Sequence, residues 1–291
     1  MAIEDINIFL PTRGRVDRQV TLHHLSDAPV ILGRMTIVCH PGEEARFRSD
    51  WGVKCKIMAL PVDNIGEVRQ QCMEQSDKDY IVFIDDSLNF HVRAESGRDV
   101  ATKYPLKVMT NKHFTKMQRR DYLVDMFGWI IEMLQTDDYG MVGISRRSGN
   151  QNVEGEVVYN SRICSFWGIN RKLFNTLDNG PRFSDMVIKE DFYIALHFLT
   201  NGIPIVLNYK YAYGRAGGAN SIGGCSIYRK LALSNESAFI LKRHFPGFVN
   251  VRVKSTKSWQ GDFGDKAYDV MVNWKKAYEF GKRRKERHEF F

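Results

Sequence analysis

The chain reads as an α/β protein: a mostly parallel, doubly wound central sheet flanked by helices, with a helical, basic C-terminal extension. Three observations predict this. Short apolar runs of strand length alternate with helix-like segments through the first half. One run, Tyr80-Ile81-Val82-Phe83-Ile84, stops abruptly at two adjacent acids, Asp85 and Asp86. That is the pattern of a buried strand whose C-terminal end carries polar groups, and ligands of open α/β sheets bind at that end. The third is a final stripe of apolar residues at helical spacing that leads into Lys282-Arg283-Arg284-Lys285-Glu286-Arg287-His288.

The elements follow in order. Residues 6–10 form an apolar strand ending in Pro11-Thr12-Arg13-Gly14-Arg15, and 17–25 is helix-like. A second strand over 35–39 ends at His40-Pro41-Gly42, and a short helix over 43–49 follows. Residues 56–60 make a third strand stopped by Pro61, and Asn64 is placed to cap a helix with Ile65, Val68 and Cys72 on its apolar face. The strand over 80–84 is the fourth. The polar stretch 89–112 has weak periodicity and is expected to be a long loop. Leu123, Met126, Phe127, Ile130, Ile131 and Leu134 then mark a strong helix over 115–135. Strands are expected over 141–145, 157–159 and 163–169, with a basic loop at 146–152 and a short helix opening at Asn170. Phe192, Ala195, Leu196 and Leu199 mark a helix that ends at Asn201-Gly202, and a strand covers 203–208. Glycines and small polar residues fill 215–225, which is expected to be mobile. Ala267, Val270, Met271, Trp274, Ala277 and Tyr278 give the stripe of the final helix. With no repeat and no linker, residues 1–265 read as one unit (1–90 nucleotide-binding, 91–265 acceptor-binding) followed by the basic helix 266–291.

Composition narrows the class. At 291 residues with 43% hydrophobic and 26% charged content, the chain has enough apolar material for a real core and is not a disordered tail. No window approaches the apolar length that spans a bilayer. The acidic start Met1-Ala2-Ile3-Glu4-Asp5 does not read as a signal peptide. A cytoplasmic location is expected, the host cytoplasm if the chain is phage-encoded. Cys39, Cys55, Cys72, Cys164 and Cys225 lack CxxC spacing, so free thiols are expected rather than a disulfide framework or zinc site. The net charge of +8 favours a polyanionic partner, although a basic tail is also often only a solvated end.

Three features carry candidate chemistry. In Pro11-Thr12-Arg13-Gly14-Arg15, two arginine forks suit a diphosphate and glycine allows close backbone approach; an exposed turn has the same composition. Asp85-Asp86-Ser87 offers carboxylates for a hard divalent cation that in turn holds a diphosphate; an Asx-turn after a strand looks alike. Glu190-Asp191 opens a helix, where the macrodipole favours acids for structural reasons, and where a carboxylate also serves as a general base.

Together these features resemble the nucleotide-sugar glycosyltransferases of the GT-A fold. The first half of that family ends in a DxD-type metal motif. The second half carries an acid pair followed by a helix and a Gly-Ile/Val-Pro turn, here Glu190-Asp191-Phe192 and Gly202-Ile203-Pro204. Residues 166–174, Phe166-Trp167-Gly168-Ile169-Asn170-Arg171-Lys172-Leu173-Phe174, resemble the acceptor-side strand and turn. The match covers roughly residues 5–215, and it departs at Ser87, where the third DxD position is usually an acid. The opening turn and the size also resemble phage glycosyltransferases associated with TET-like oxygenases, which modify hydroxymethylated pyrimidines in DNA.

The resemblance implies the following roles. The donor is a UDP-sugar held by Pro11, Thr12, Arg13, Arg15, Asp85 and Asp86. Mn²⁺ or Mg²⁺ is bound mainly by Asp86 and more weakly by Ser87. Asp191 is the base, with Glu190 as fallback, in an inverting displacement; a retaining outcome stays open. The acceptor is a hydroxymethyl group on a pyrimidine of duplex DNA, contacted by Arg146, Arg147, Trp167, Arg215, Lys282, Arg283 and Arg284. Arg119-Arg120 also fits a DNA substrate, Tyr211, Tyr213 and Trp259 are further candidates for stacking on a base, and the Gly-rich segment 214–225 is a candidate lid. Three other readings remain: a GT-A enzyme with a glycan acceptor, a sugar nucleotidyltransferase whose Gly-rich N-terminal signature is missing here, and a non-catalytic basic module that binds nucleic acid.

Overall fold

The structure, a computed structural model, describes residues 3–94, 104–216, 223–228, 230–253 and 266–288. The chain opens on β1 (Ile6–Pro11), followed by α1 (Val20–Leu25), α2 (Pro29–Leu32), β2 (Met35–Cys39), α3 (Glu44–Trp51), β3 (Lys56–Ala59), α4 (Ile65–Gln75) and β4 (Tyr80–Ile84). These four strands are parallel neighbours in the order β3-β2-β1-β4. The Asn64 cap forms as read, its Oδ1 accepting from the Glu67 N–H at 2.9 Å. The first helix is shorter than expected. Residues 15–19 stay in a turn, where the Gln19 side chain donates to the Arg15 carbonyl and to Thr12 Oγ1, both at 2.9 Å.

The expected loop over 89–112 is instead built around two strands, β5 (Leu88–Arg93) and β6 (Leu106–Val108), while 95–103 lies outside the described residues. The missed signal was a period of two: Leu88, Phe90 and Val92 are buried while Asn89 is partly exposed. Then come α5 (Lys116–Gln135), β7 (Met141–Arg146), a kinked turn α6 (Arg147–Asn150), β8 (Val157–Tyr159), β9 (Phe166–Asn170), α7 (Arg171–Phe174), α8 (Glu190–Thr200) and β10 (Ile205–Arg215). The apolar stripe of α5 is buried as predicted, and Thr115 closes a capping box with Gln118. The last strand is much longer than the expected 203–208. Its pairing with β7 shifts register between Asn208 and Ala212 and then continues, so Arg215 is the end of a strand rather than part of a loop.

All ten strands form one sheet, in the order β3-β2-β1-β4-β9-β7-β10-β5-β6 with β8 also on β10. Following the pairings, β1, β2, β3, β4, β6, β7 and β10 run one way and β5, β8 and β9 the other. The sheet is therefore mixed, with mostly parallel strands, as the fold class predicted. Its two faces carry separate cores. One holds Leu22, Phe47, Phe127 and Ile130, the other Trp167, Phe183, Leu196 and Phe198. Because both faces are covered, the central strands β4 and β9 are apolar without alternation.

The C-terminal region differs from its reading. Residues 231–253, to which the sequence analysis assigned no element, form α9 (Leu231–His244) and β11 (Val249–Val253). The stripe beginning at Ala267 is split. Residues Tyr268–Val272 form β12, antiparallel to β11, and only Trp274–His288 is helix (α10). Val270 and Val272 are β-branched residues two apart, a strand signal that the helical stripe overrode. The last helix lies on α8: Trp274 meets Phe192 edge-on at 5.2 Å, and Gly281 lies against the Leu199 carbonyl and Gly202. A β-carbon at Gly281 would come within 2.2 Å of the Leu199 oxygen, so glycine is required for this close crossing. No helix among the described residues is long and apolar enough to cross a membrane.

Candidate active site

The C-terminal ends of β1, β2, β3, β4, β7 and β10 share one edge of the sheet, and β9, running the other way, brings the residues before it to the same edge. A cavity of about 300 Å³ opens there. The turn after β1 contributes Thr12, Arg13 and Arg15, the end of β4 contributes Asp85, Asp86 and Ser87, and the ends of β7 and β10 contribute Arg146 and Arg215. The N-terminus of α8 adds Glu190 and Asp191. Of the residues singled out from sequence, these are the ones the fold brings together, along with Pro11 and Tyr213.

The turn after β1 depends on Gly14. Its φ of +67° lies in the left-handed region, its N–H donates to Glu43 at 2.8 Å, and an added β-carbon would press on Ile227 at 3.1 Å. Arg13 pairs with Asp63 at 2.7 Å. Arg15 reaches across to Asp86 at 2.6 Å and to the Gly223 carbonyl at 2.9 Å, and the Gly224 N–H donates to the Arg13 carbonyl at 2.6 Å. The described end of the Gly-rich segment is thus tied to this turn, while 217–222 lies outside the described residues. Val38, Leu60, Val62 and Val68 give the cavity an apolar stretch of wall, and His40 and Asn64 line it too.

The two acids after β4 point to different places. Asp86 is 3% exposed; one oxygen accepts from Thr12 Oγ1 at 2.6 Å and the other from Arg15 at 2.6 Å. Asp85 is the acid that faces the pocket, set between Arg69 at 3.4 Å and Arg215 at 3.1 Å. The sequence places an ion mainly at Asp86 with Ser87. Both Asp86 oxygens are already held by protein donors, and Ser87 brings only a neutral hydroxyl. Among the described residues, no three of His, Cys, Asp and Glu come together to hold a metal ion.

The acids of α8 are likewise divided. Glu190 is buried and ion-paired to Arg69, which lies over the rings of Trp167 at 5.0 Å and Phe83 at 5.6 Å. Burial pushes the Glu190 carboxyl up to about 7, against the pull of Arg69. Asp191 is half-buried and lines the pocket, with Oδ1 accepting from the Phe192 N–H at 2.9 Å. Burial raises its carboxyl too, with Arg69 and Arg162 opposing. Lys189, just before the pair, has φ of +66°, and its ammonium donates to the Ser234 carbonyl at 2.8 Å. That left-handed residue aims the helix start at the pocket.

Other expected contacts are not in the site. Trp167 is fully buried in the core, stacked on Phe183 at 5.8 Å, because β9 is an interior strand covered on both faces. Tyr211 is buried and donates to Asp125; Tyr213, by contrast, lines the cavity wall but is buried, with its hydroxyl 3.0 Å from Cys164. Arg119 is a structural residue paired with Asp27 at 2.7 Å, and Arg120 pairs with its neighbour Asp121. Arg147 is exposed beyond the rim. Lys282 and Arg283 are exposed at the end of α10 that lies by the C-terminus of α8, away from the pocket, and Arg284 is tied there to Asp178 and Asn201. Trp259 lies outside the described residues. Cys39, Cys55, Cys72 and Cys164 are free thiols.

Sequence reasoning missed Arg69, Arg162 and Asp269, all of which line the cavity. An arginine next to Val68 in a helix whose other face is apolar was a readable signal for Arg69. Arg162 is placed only by the reversed direction of β9, and Asp269 only by the β11–β12 hairpin.

Arginines, an acidic strand end and the acid pair of α8 thus meet around one cavity. The chain belongs to the TET-associated glycosyltransferase family, whose model matches residues 6–224, and it is a glycosyltransferase. Similar solved structures include glucosyl-3-phosphoglycerate synthase from Mycobacterium tuberculosis in complex with Mn²⁺, uridine diphosphate and phosphoglyceric acid (12% identity, 92% of this chain and 86% of that one, TM-score 0.47). They also include S. aureus TarS 1–349 in complex with UDP (15% identity, 83% of this chain and 72% of that one, TM-score 0.47). No curated protein matches the chain.

Proposed function

We propose that this glycosyltransferase moves a sugar from a UDP-sugar to a hydroxymethyl group on a modified pyrimidine of phage DNA, with inversion, in the host cytoplasm. The observation that carries the reading is the meeting of three separate segments, the Arg13–Arg15 turn, Asp85 and Asp191, around one cavity. The apolar wall of Val38, Leu60 and Val68 suits a flat base, and the arginines of the same cavity suit a diphosphate. On this reading residues 1–90 bind the nucleotide and 91–265 the acceptor.

In the reaction, the acceptor oxygen attacks the anomeric carbon from the face opposite the diphosphate. The bond from that carbon to the phosphate oxygen breaks, and its electron pair leaves with UDP. Asp191 accepts the hydroxyl proton, for which it must start ionised. Glu190, ion-paired with Arg69, holds the helix start rather than serving as the base. The family's association with TET-like enzymes, the +8 charge and exposed Arg146 and Arg147 support a DNA acceptor. The hydroxymethyl group must enter an enclosed cavity, so the base is expected to flip out of the duplex.

The test is nucleoside mass analysis after incubation with pooled UDP-sugars and duplex DNA carrying 5-hydroxymethylcytosine or 5-hydroxymethyluracil. A hexose or pentose increment on the modified base is expected. UDP release without an increment would move the acceptor to a glycan or another non-DNA molecule. DNA binding with neither would favour a non-catalytic binding module.

A further inference from the structure

The end of β4 is where an enzyme using a bound cation would present its carboxylates, and there the charges are arranged for another purpose. Asp86 is closed by Thr12 and Arg15, and Gln19 donates to Thr12 in turn, so the Asp86 carboxylate sits in a network of protein donors. Asp85 has a guanidinium on either side. A magnesium-like ion usually takes one or two carboxylates along with substrate phosphates. Here an ion at Asp85 would lie beside Arg69 and Arg215, whose charge repels it.

The same arrangement suits an anion. Arg215 stands at the end of β10, its side chain 37% exposed, with one terminal nitrogen donating to Ser165 Oγ at 2.7 Å and to Asp85 at 3.1 Å. Those contacts orient its planar guanidinium at the pocket edge, and that fork matches the geometry of phosphate oxygens. Arg15 is fixed on the other side of the acidic strand end by Asp86 and the Gly223 carbonyl. The fold thus brings two oriented guanidiniums to the place where the diphosphate of a nucleotide sugar would lie.

We propose that Arg215, assisted by Arg15, takes up the charge of the departing diphosphate, and that donor binding and transfer need no divalent cation. As the glycosidic bond breaks, its electron pair moves onto the β-phosphate oxygen, and guanidinium N–H groups meet that charge. The acceptor proton goes to Asp191. This inference rests on the UDP-sugar reading, and it moves Arg215 from the acceptor side to the donor side of the site.

The test is calorimetric titration of UDP into the full chain after dialysis against EDTA, with EDTA retained and separately with Mn²⁺ added. The expected dissociation constants agree within about threefold, less than 1 kcal/mol. Arg215→Met should weaken UDP binding about 10- to 100-fold in both buffers while uridine, which lacks the diphosphate, binds as to the unaltered chain. Arg215→Lys should recover part of the loss, and matching thermal melts would show that the variants are folded. UDP binding that appears only with Mn²⁺ would overturn the proposal while leaving the nucleotide-sugar reading intact. Unchanged UDP binding by Arg215→Met in EDTA would overturn the role of Arg215. Absence of UDP binding in both buffers would remove the donor reading and this inference with it.

Discussion

Replacing Arg69 by methionine should expose the electrostatic strain beneath the active site. The arginine side chain is 3% exposed and is the counter-charge of buried Glu190 as well as a neighbour of Asp85. Methionine keeps much of the packing against Phe83 and Trp167 but leaves the Glu190 carboxylate without its ion-pair partner. Removing one member of a buried pair costs about 3–5 kcal/mol, a large share of the roughly 5–15 kcal/mol that holds a typical domain folded. Glu190 can escape part of this by taking a proton. Its folded-state carboxyl already stands at about 7, above the ordinary 4.5, and losing Arg69 raises it further. A raised acid stabilises the fold fully only below its unfolded value, and that contribution is lost as pH rises through the folded value. The variant should therefore be near wild type at pH 5, with a deficit that opens as pH rises past about 7 and keeps growing to the variant's own, higher Glu190 value. Urea unfolding across that range measures it, and adding Glu190→Gln should restore most of the loss at high pH. A deficit that does not change with pH, or that Glu190→Gln leaves untouched, would refute the reasoning.

Four further outcomes are expected. Asp191→Asn should lower turnover about 10²- to 10⁴-fold with UDP affinity retained. In the unaltered enzyme kcat/KM should fall as pH drops through an Asp191 value above the ordinary carboxylate range, and the variant should lose that limb. Gly14→Ala forces a side chain into the left-handed region at φ +67°, costing about 1–2 kcal/mol, and should weaken donor binding because Arg13 and Arg15 flank it. Gly281→Leu should lower stability by about 1–3 kcal/mol in denaturant unfolding, since the crossing of α10 over α8 leaves no room for it. For DNA binding, neutralising Arg146 and Arg147 should flatten the slope of log affinity against log salt by up to about 1.8, and neutralising Lys282 and Arg283 by less.

Much of the site's chemistry was legible because local sequence carries it. An apolar run that ends in Asp85-Asp86 announces a strand and its acidic end, whatever the rest of the chain does. Pro11-Thr12-Arg13-Gly14-Arg15 announces a turn that carries two guanidinium groups, and Glu190-Asp191 ahead of an apolar stripe announces a helix start. These depend on periods of two and 3.6 and on the residues that interrupt them. The same logic misled where a stripe admitted two periods, as at Val270 and Val272, and where a short amphipathic strand such as β5 lay among polar residues.

Which of two adjacent acids meets the pocket, and what each is paired with, was decided only in the tertiary structure. Successive residues at a strand end point in opposite directions, so Asp86 turns inward to Thr12 and Arg15 while Asp85 faces Arg69 and Arg215. The partners come from positions 12, 15, 69 and 215, separations that no local pattern encodes. Trp167 shows the converse: an aromatic suited to stacking on a base is instead buried, because β9 runs antiparallel through the middle of the sheet. Sequence thus determined which chemical groups this enzyme has. The direction and order of the strands, set by long-range packing, decided which of them face one another across the cavity.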